Sequence, residues 1–244
     1  MSLATTRGVL AVSLLCLGCA SPAPATAGDE EAPTSAAAPE PAHPTWAAST
    51  VVRSDEAFRI THYWSKGPSL RSETMVGIRP IVTIVAGDRY WVYDELGRSG
   101  LEIGRAPAAM AEDAGRTRPF GNDLEELIER GGEHVETSAF GGVPVEMWRL
   151  TNSSGRRTLW VTSSQPKLPV RVENFDRETG EIAVLEYSGW RRGIELPDRA
   201  FVPPPDLDLQ RYDYETFIRT VIENDSLGRA PILYPRLLHG PRPD

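Results

Sequence analysis

Residues 81–93 read Ile81-Val82-Thr83-Ile84-Val85-Ala86-Gly87-Asp88-Arg89-Tyr90-Trp91-Val92-Tyr93. Two runs rich in β-branched and aromatic residues, 81–86 and 89–93, are separated here by a two-residue link. Such side chains favour strands, and Gly87 accepts the positive φ that a tight hairpin turn requires. The stretch therefore predicts an antiparallel hairpin and makes β structure the starting point for the rest of the chain.

Strand-forming runs separated by turn residues continue in both directions from this hairpin, beginning at about residue 47. Before the hairpin the pattern predicts strands at 58–64 and 70–76, and after it strands at 133–140, 143–151, 156–162, 168–175 and 182–190. Short links such as Gly141-Gly142 make sequential strands pair antiparallel. The sequence thus predicts about nine strands in a meander.

Two or three helices are predicted between and after these strands. Residues 107–114 are rich in alanine, and a helix over 122–129 has Asn122 as its N-cap and Gly131 past its last turn. A final helix is predicted over 214–222 with Asp213 as its N-cap. The apolar residues of the tail beyond it either dock on the core or remain loose.

The helices are segregated from the strands, an order that excludes a doubly wound parallel sheet. It predicts a mainly β (α+β) fold with a curved antiparallel sheet closed by helices. Along 90–93 and 158–162, apolar or aromatic side chains fall on both faces. We therefore expect one face to pack on helices and the other to be partly wet but rich in aromatic residues.

Composition limits the class of partner. The chain has 244 residues, which suits one large β domain, and 26 Lys and Arg against 34 Asp and Glu, for a formal net charge of −8. It lacks the cationic field that binds phosphate backbones, so we expect no nucleic-acid partner.

The cysteines are confined to the start of the chain, at Cys16 and Cys19. Residues 1–18 combine a basic residue with a short apolar run, as secretory signal peptides do. Leu17-Gly18-Cys19 resembles the lipobox of bacterial lipoproteins, although Cys16 stands where the lipobox usually has leucine. We expect Cys19 to be lipidated and to anchor the protein in the outer membrane, facing the periplasm. The alternative is an ordinary signal peptide that happens to contain cysteines.

Residues 19–46 differ in composition from the rest of the chain. Between residues 20 and 45, nine of 26 residues are Ala and six are Pro, and none is Val, Ile, Leu, Met or aromatic. Nothing there can be buried to offset the entropy of ordering, so we predict a disordered tether. The tether would join the lipid anchor to a folded domain at 47–224, followed by a proline-rich tail at 225–244.

The pattern of strands and turns resembles that of a bacterial superfamily. The resemblance is carried by residues 63–74 and 81–94, and then by 157–162, Leu168-Pro169, Glu186-Tyr187 and Phe201-Val202-Pro203-Pro204. Spaced in this way, they are similar to the outer-membrane lipoprotein-sorting (LolA/LolB-like) superfamily. That group includes the amino-terminal domain of the RseB/MucB sigma-factor regulators. The match covers about residues 50–205.

The resemblance implies an unclosed barrel, in which helices cover the concave side of a strongly bent antiparallel sheet and acyl chains lie between them. It makes large apolar strand residues the candidates for lining the ligand: Trp64, Leu70, Ile84, Trp91, Tyr93, Trp148 and Trp160. Trp and Tyr suit an apolar surface that makes one polar contact, although each is also consistent with an ordinary core position. Arg71 and Glu73 share one face of a strand. They are either a polar handle for a lipid headgroup or lipidated amino terminus, or a structural ion pair.

Residue sets that support catalysis are missing from the sequence. The four histidines, His43, His62, His134 and His239, lack HxxxH or HExxH spacing. Neither a GxSxG nucleophile elbow nor a glycine-rich nucleotide-binding loop occurs. We therefore expect no enzyme activity, no cofactor and no metal.

Two functions from different classes remain. In the first, the domain is a binding module that shelters acyl chains of a lipoprotein or other lipid, driven by the transfer of apolar surface out of water. In the second, it is an envelope stress sensor or scaffold that uses the same fold to bind a protein partner.

Overall fold

The computed structural model describes residues 43–54, 58–224 and 231–241. The predicted signal peptide, Cys19 and most of the tether lie outside the described residues. The strands are β1 (Thr45–Arg53), β2 (Phe58–Lys66), β3 (Ser69–Val76), β4 (Arg79–Ala86), β5 (Arg89–Asp94), β6 (Ser99–Gly104), β7 (Glu133–Phe140), β8 (Val143–Thr151), β9 (Gly155–Thr162), β10 (Pro169–Asp176), β11 (Ile182–Arg192) and β12 (Asp208–Tyr212). The helices are α1 (Pro107–Asp113), α2 (Asp123–Glu129), α3 (Tyr214–Asn224) and α4 (Pro235–His239), with a 3₁₀ helix at Asp198–Phe201.

All twelve described strands belong to one sheet, in the order β12-β6-β5-β4-β3-β2-β1-β11-β10-β9-β8-β7. Strands β1–β6 form one antiparallel meander and β7–β11 form another, and the two are joined by antiparallel pairing of β1 with β11. Strand β12 pairs with β6 in parallel. The sheet is not closed into a barrel, because β12 and β7 are its edges. The prediction of a mainly antiparallel, open sheet with few helices is confirmed.

The nine strands predicted from the sequence are all present, and the Gly87-Asp88 link is the β4–β5 hairpin turn, with Gly87 at φ +56°. Strands β1, β6 and β12 were not predicted. Strand β1 contains alanine and serine, β6 contains two glycines, and β12 is short and polar. These residues have weak strand propensity, so their conformation depends on pairing with strands far away in sequence.

The helices agree with the sequence in position but not in every detail. Asp213 caps α3, because its carboxylate accepts hydrogen bonds from the backbone N–H and the hydroxyl of Thr216, both at 2.8 Å. Asn122 stands at the N-cap position of α2 as predicted, but its side chain donates to the carbonyl of Arg118 at 2.8 Å and makes no capping bond to α2. The tail docks, with Leu237 and Leu238 of α4 buried in the core. None of the described helices has the length and apolar character needed to span a membrane.

Each side of the sheet packs against a different layer. On the helix-facing side, Leu70, Val85 and Tyr90 pack with Phe217 of α3 and with the two leucines of α4. Farther along the same side, Leu159 and Val172 pack against Leu124 and Leu127 of α2.

The opposite side of β4 and β5 is covered by the connection between β11 and β12, so the expectation of a partly wet second face is wrong for these two strands. There, Val82, Ile84 and Tyr93 pack against Phe201, with Leu196 and Leu207 of the same 194–207 segment nearby. Strands buried on both faces read as apolar runs without polar alternation, which explains why the sequence of β4 and β5 shows apolar residues on both faces.

The turn between β5 and β6 depends on one buried carboxylate. Asp94 accepts hydrogen bonds from the backbone N–H groups of Leu96 (2.9 Å) and Gly97 (3.0 Å) and from Nε of Arg79 (2.6 Å). The Gly97 N–H, opposed by burial and assisted by Arg79, holds the pKa of Asp94 below its usual range. The ionised form therefore stabilises the fold.

We predict that Asp94→Asn lowers the free energy of unfolding by about 1–3 kcal/mol at pH 7, since charge-assisted hydrogen bonds are replaced by neutral ones. Because the folded-state pKa is depressed, this contribution is present above the unfolded pKa and is lost as the pH falls through the folded pKa. Urea unfolding at pH 7 and at about pH 3 should show the difference from wild type shrinking in acid. Asp88→Asn, at an exposed carboxylate in the neighbouring hairpin turn, is the control. Equal losses in both variants would contradict the assignment.

Candidate functional site

Four aromatic rings form a stacked row on the helix-facing side, in the order Tyr63, Phe120, Trp190 and Tyr187. The ring centroids are 4.9 Å apart for Tyr63 and Phe120, 5.6 Å for Phe120 and Trp190, and 5.4 Å for Trp190 and Tyr187, with interplanar angles of 12–19°. The row begins on β2, passes through the loop before α2, and ends on β11. The row therefore links the two meanders on the helix-facing side of the β1–β11 pairing.

An irregularity in β11 makes this row possible. In a regular strand, residues 187 and 190 would point to opposite faces. The β1–β11 register shifts between Ala47 and Ser49, and Gly189 on the facing strand has φ +64°. This bulge turns Trp190 to the same side as Tyr187.

Arg118 occupies the centre of the aromatic row. Its guanidinium carbon lies 5.0 Å from the ring centroid of Trp46 and 5.5 Å from that of Trp190. Nε donates to the carbonyl of Phe120 (3.0 Å), and Nη2 donates to that of Gly121 (2.8 Å). Burial lowers the pKa of Arg118, but the cation–π contacts and the two carbonyls still favour its charged form. The side chain thus fixes the loop between α1 and α2 to the sheet.

Beside the row, a polar cluster fixes α2 to the sheet. Asp123, at the start of α2, pairs with Arg157 of β9 and accepts a hydrogen bond from the Tyr187 hydroxyl at 2.9 Å. Burial, and then the charge of Asp123, raise the pKa of Tyr187. The phenol therefore stays protonated and acts as a donor, which is a structural role.

Partly exposed ion pairs connect three helices to one another. Arg236 of α4 pairs with Glu112 of α1 and, at 2.8 Å, with Glu126 of α2. Glu112 also pairs with Arg116. Burial raises the pKa of Glu126, and Arg236 opposes that shift. Shallow clefts of about 570 and 500 Å³ adjoin Arg236 and Glu126.

The backbone of α4 is tied to the sheet at two further points. Nε of the buried Arg105 donates to the carbonyl of Leu237 (2.7 Å), and the N–H of Ala106 donates to that of Leu238 (2.9 Å). Arg105 also pairs with Asp113 of α1 at 2.6 Å. Helix α4 is therefore held by side-chain and backbone hydrogen bonds as well as by its two leucines.

The residues proposed from the sequence to line a ligand are divided between the two sides. Leu70 and Trp148 lie on the helix-facing side. The remaining five lie on the opposite side: Trp64, Ile84, Trp91, Tyr93 and Trp160. Trp64, Arg71, Ile84 and Trp91 are register neighbours across β2, β3, β4 and β5. The structure therefore does not bring the seven residues into one site.

Arg71 and Glu73 also lie on the opposite side and contact each other. Nε and Nη2 of Arg71 donate to the same carboxylate oxygen of Glu73, at 3.0 and 2.8 Å. Nη1 is 3.4 Å from the carbonyl of Ala200 in the 194–207 segment. In this arrangement the pair attaches that segment to the sheet.

Three of the four described histidines make a local hydrogen bond or ring contact. His62 lies 2.8 Å from the Ser49 hydroxyl, His134 meets the ring of Trp148 edge-on, and His239 lies 3.1 Å from the Tyr214 hydroxyl. Among the residues that the structure describes, no three His, Cys, Asp or Glu side chains are placed to hold a metal ion.

Sequence reasoning missed the residues that build the helix-facing site. Composition places Trp46 in the tether, and Phe120 and Arg118 fall in a loop with no recognised pattern. The available signal is the unusual run Arg118-Pro119-Phe120-Gly121, which combines a cation, an aromatic ring and two backbone-restricting residues. Nothing in the sequence indicates which rings it meets.

The sequence matches no protein-family model and no curated protein. A crystal structure of an uncharacterized conserved protein from Thermus thermophilus shares the fold, with 13% identity over 69% of this chain and 90% of that chain and a TM-score of 0.51. The MucA/MucB complex of Pseudomonas aeruginosa has 11% identity over 68% of this chain and 58% of that chain, with a TM-score of 0.43. A putative outer membrane lipoprotein-sorting protein domain from Vibrio parahaemolyticus has 15% identity over 66% of this chain and 89% of that chain, with a TM-score of 0.31. The first similarity shows a shared fold, and the other two are too weak to support an inference.

We predict that Gly121→Ala disrupts the aromatic row. Gly121 has φ +67°, and a Cβ there would lie 2.5 Å from Cη2 of Trp190. Gly77 has φ +63° with nothing within 4 Å of its Cβ position, so Gly77→Ala is a matched control that carries only the backbone cost of about 1–2 kcal/mol. In urea unfolding, Gly121→Ala should lose a further 1–3 kcal/mol or so from overpacking and shift the tryptophan emission. Equal stability and emission in the two variants would show that Trp190 is not packed against Gly121.

Proposed function

We propose that the protein is a lipid-anchored binding protein of the bacterial outer membrane, facing the periplasm, that shelters acyl chains of a lipoprotein or other lipid. In this proposal it is a member of the LolA/LolB-like superfamily and acts in lipoprotein sorting or lipid trafficking. It binds without catalysis and needs no cofactor or metal. The local, structural contacts of its histidines support that view.

The observation that carries the proposal is the apolar character of the helix-facing side across both meanders. We take this side to be the concave one. Over the first meander it is covered by Leu237 and Leu238 of the five-residue helix α4. Over the second, Trp148, Leu150 and Leu185 are only partly buried around α2. An acyl chain would enter beside α2 and replace the leucines of α4.

The energetics of this exchange are of the right order. Exposing two buried leucines costs about 3–6 kcal/mol, and breaking the hydrogen bonds of Arg105 and Ala106 to the α4 backbone costs about 1–3 kcal/mol more. Each methylene of an incoming chain contributes about 0.8 kcal/mol. A chain of roughly eleven methylenes therefore offsets the loss, and a longer chain binds with a net gain. The proposal thus requires affinity to rise with chain length.

The ion pairs of Arg236 stabilise the closed position of α4. The side chains of Arg236 and Glu126 are 41% and 30% exposed, so an opening that breaks their pair moves both charges into water rather than leaving them buried. The raised pKa of Glu126 means that this carboxylate is protonated at a higher pH than usual. Its pair with Arg236 therefore weakens sooner than an ordinary surface pair as the pH falls.

We predict that the full chain purified from cells carries lipid that organic solvent removes without hydrolysis, and that it binds a fluorescent long-chain fatty acid. A sixteen-carbon probe should bind more tightly than an eight-carbon one, by about tenfold or more for the added methylenes. Arg236→Gln should increase affinity for the long probe about three- to tenfold, because it removes bonds that are present only in the closed position.

Arg211→Gln is the matched control for this experiment. Arg211 of β12 pairs with Glu102 of β6 on the side of the sheet opposite to α4, so its removal should leave probe affinity unchanged. Absence of extractable lipid together with absence of probe binding would contradict acyl-chain binding. Probe binding that is equal in Arg236→Gln and wild type would contradict entry under α4.

We predict separately that cells incorporate a radiolabelled fatty acid into the wild-type chain through Cys19, and that Cys19→Ala abolishes the label that survives solvent extraction. Cys16→Ala should retain that label, because only Cys19 follows the small residue of the lipobox. Covalent label in Cys19→Ala would rule out anchoring at this residue.

A second candidate function is that of an envelope stress sensor or scaffold that binds a protein partner. The observation that favours it is the exposed edge strand β7, which does not take part in acyl-chain binding as proposed above.

A further inference from the structure

Strand β7 is one of the two edges of the described sheet and is open to solvent. Seven of its eight residues, Glu133 to Ala139, are exposed, and Phe140 is half-buried. No element among the described residues pairs with its outer edge. In an antiparallel pair, roughly half of the backbone N–H and C=O groups of an edge strand point away from its neighbour. Strand β7 therefore presents a row of groups that another strand can bond.

The other edge is less suited to accept a strand. Strand β12 has five residues, three of them half-buried, and α3 packs against both β12 and β6. Strand β7 is longer, more exposed and antiparallel to its neighbour β8. Among the described strands, it is the better template for strand addition.

The side chains of β7 determine which kind of strand fits. Glu133 and Glu136 lie on the opposite side of the sheet, as shown by their register partners Arg149 and Met147. Glu133 already faces Arg149 across the ladder, whereas Glu136 faces the apolar Met147. Strand β7 contains no Lys or Arg. A basic side chain on an added strand would therefore lie beside the Glu136 carboxylate. Opposite charges on neighbouring strands stabilise their pairing.

The same carboxylates disfavour a second copy of this chain as the occupant. Antiparallel pairing of two β7 strands would bring four glutamates close together on one side of the joined sheet, and like charges on adjacent strands are destabilising. Acidic residues on an edge thus exclude self-association while admitting a basic partner. The helix-facing side of β7 offers His134, Thr137 and Ala139, a small and mostly uncharged surface that also accepts small or hydroxyl-bearing side chains.

We infer that β7 is a docking edge for an extended protein segment in which Lys or Arg alternates with small or β-branched residues. The segment adds to the sheet as a further antiparallel strand next to β7. Its basic side chains face Glu136 and Glu133, and its main chain bonds the outward N–H and C=O groups. This inference rests on the second candidate function and is independent of acyl-chain binding.

The test uses the full chain and a fluorescein-labelled octapeptide in which lysine alternates with threonine and valine. A peptide of equal charge with two prolines replacing a threonine and a valine is the first control, because it cannot form a strand. A peptide with glutamate in place of lysine is the second. We expect the first peptide to bind at about 0.15 M salt at least tenfold more tightly than either control. Hydrogen exchange should slow for amides in β7 and for no other described strand.

The variant that sharpens the test is Glu133→Lys/Glu136→Lys, which reverses the charge of the edge without touching the core. This double variant should bind the lysine peptide at least tenfold more weakly than wild type and should bind the glutamate peptide instead. The matched control Glu178→Lys, in the exposed β10–β11 turn, should bind like wild type.

Three results would overturn the inference: equal binding of the proline peptide, protection located outside β7, or no reversal in the double variant. A molecular mass that doubles as the protein concentration rises, together with loss of peptide binding, would show that a second copy occupies the edge. That result also overturns the inference. Failure of the fatty-acid probe to bind leaves these outcomes unchanged, and the fatty acid should not displace the peptide.

Discussion

The pairing of β1 with β11 is the constraint on which the rest of the structure depends. It joins residues that are about 130–145 positions apart, and it is the only strand pairing between the two meanders within the described sheet. Trp46 at the start of β1 and Trp190 near the end of β11 meet edge to face at 6.2 Å, and Arg118 lies against both rings. Closing so long a loop has a large entropic cost. The packing of these rings adds to the backbone hydrogen bonds between β1 and β11, and together they offset this entropic cost.

Once the two meanders are joined, the helices have a surface to cover, and they cover it in two different ways. The loop before α2 is fixed from within, by Arg118 and by the Asp123, Arg157 and Tyr187 cluster. Helix α4 is fixed inside by two leucines and by two hydrogen bonds to its backbone carbonyls, and outside by the partly exposed ion pairs of Arg236. Buried, mutually satisfied polar groups are costly to separate, whereas surface pairs are not. In the proposed acyl-chain exchange, the cover over the first meander opens while the β1–β11 joint stays intact.

The parts of the fold that were predictable are those set by near neighbours. The β4–β5 hairpin, the β7–β11 meander and the Asp213 cap each depend on residues within about a dozen positions, and all were found where the sequence placed them. Asn122 is a local exception, because its side chain bonds the Arg118 carbonyl four residues back at 2.8 Å instead of the first turn of α2. Trp64 and Trp148 show the limit of such reasoning: both are large strand aromatics, yet one lies on each side of the sheet. Within one strand, alternate side chains point to opposite faces of the sheet. Only the register between strands decides which residues of different strands share a face.

The sequence by itself determined that this is a strand-rich protein with few helices, that its strands pair mainly with their neighbours in the chain, and that both faces of its central strands carry apolar side chains. These properties follow from propensity, turn chemistry and alternation, which act over a few residues. Only the tertiary structure decided that β1 would join β11, that β12 would add in parallel to β6, and that the Gly189 bulge would bring Trp190 over Tyr187. It also decided which edge would be left open. The physical reason is that these features depend on contacts between distant segments, whose energies exist only after the chain has folded.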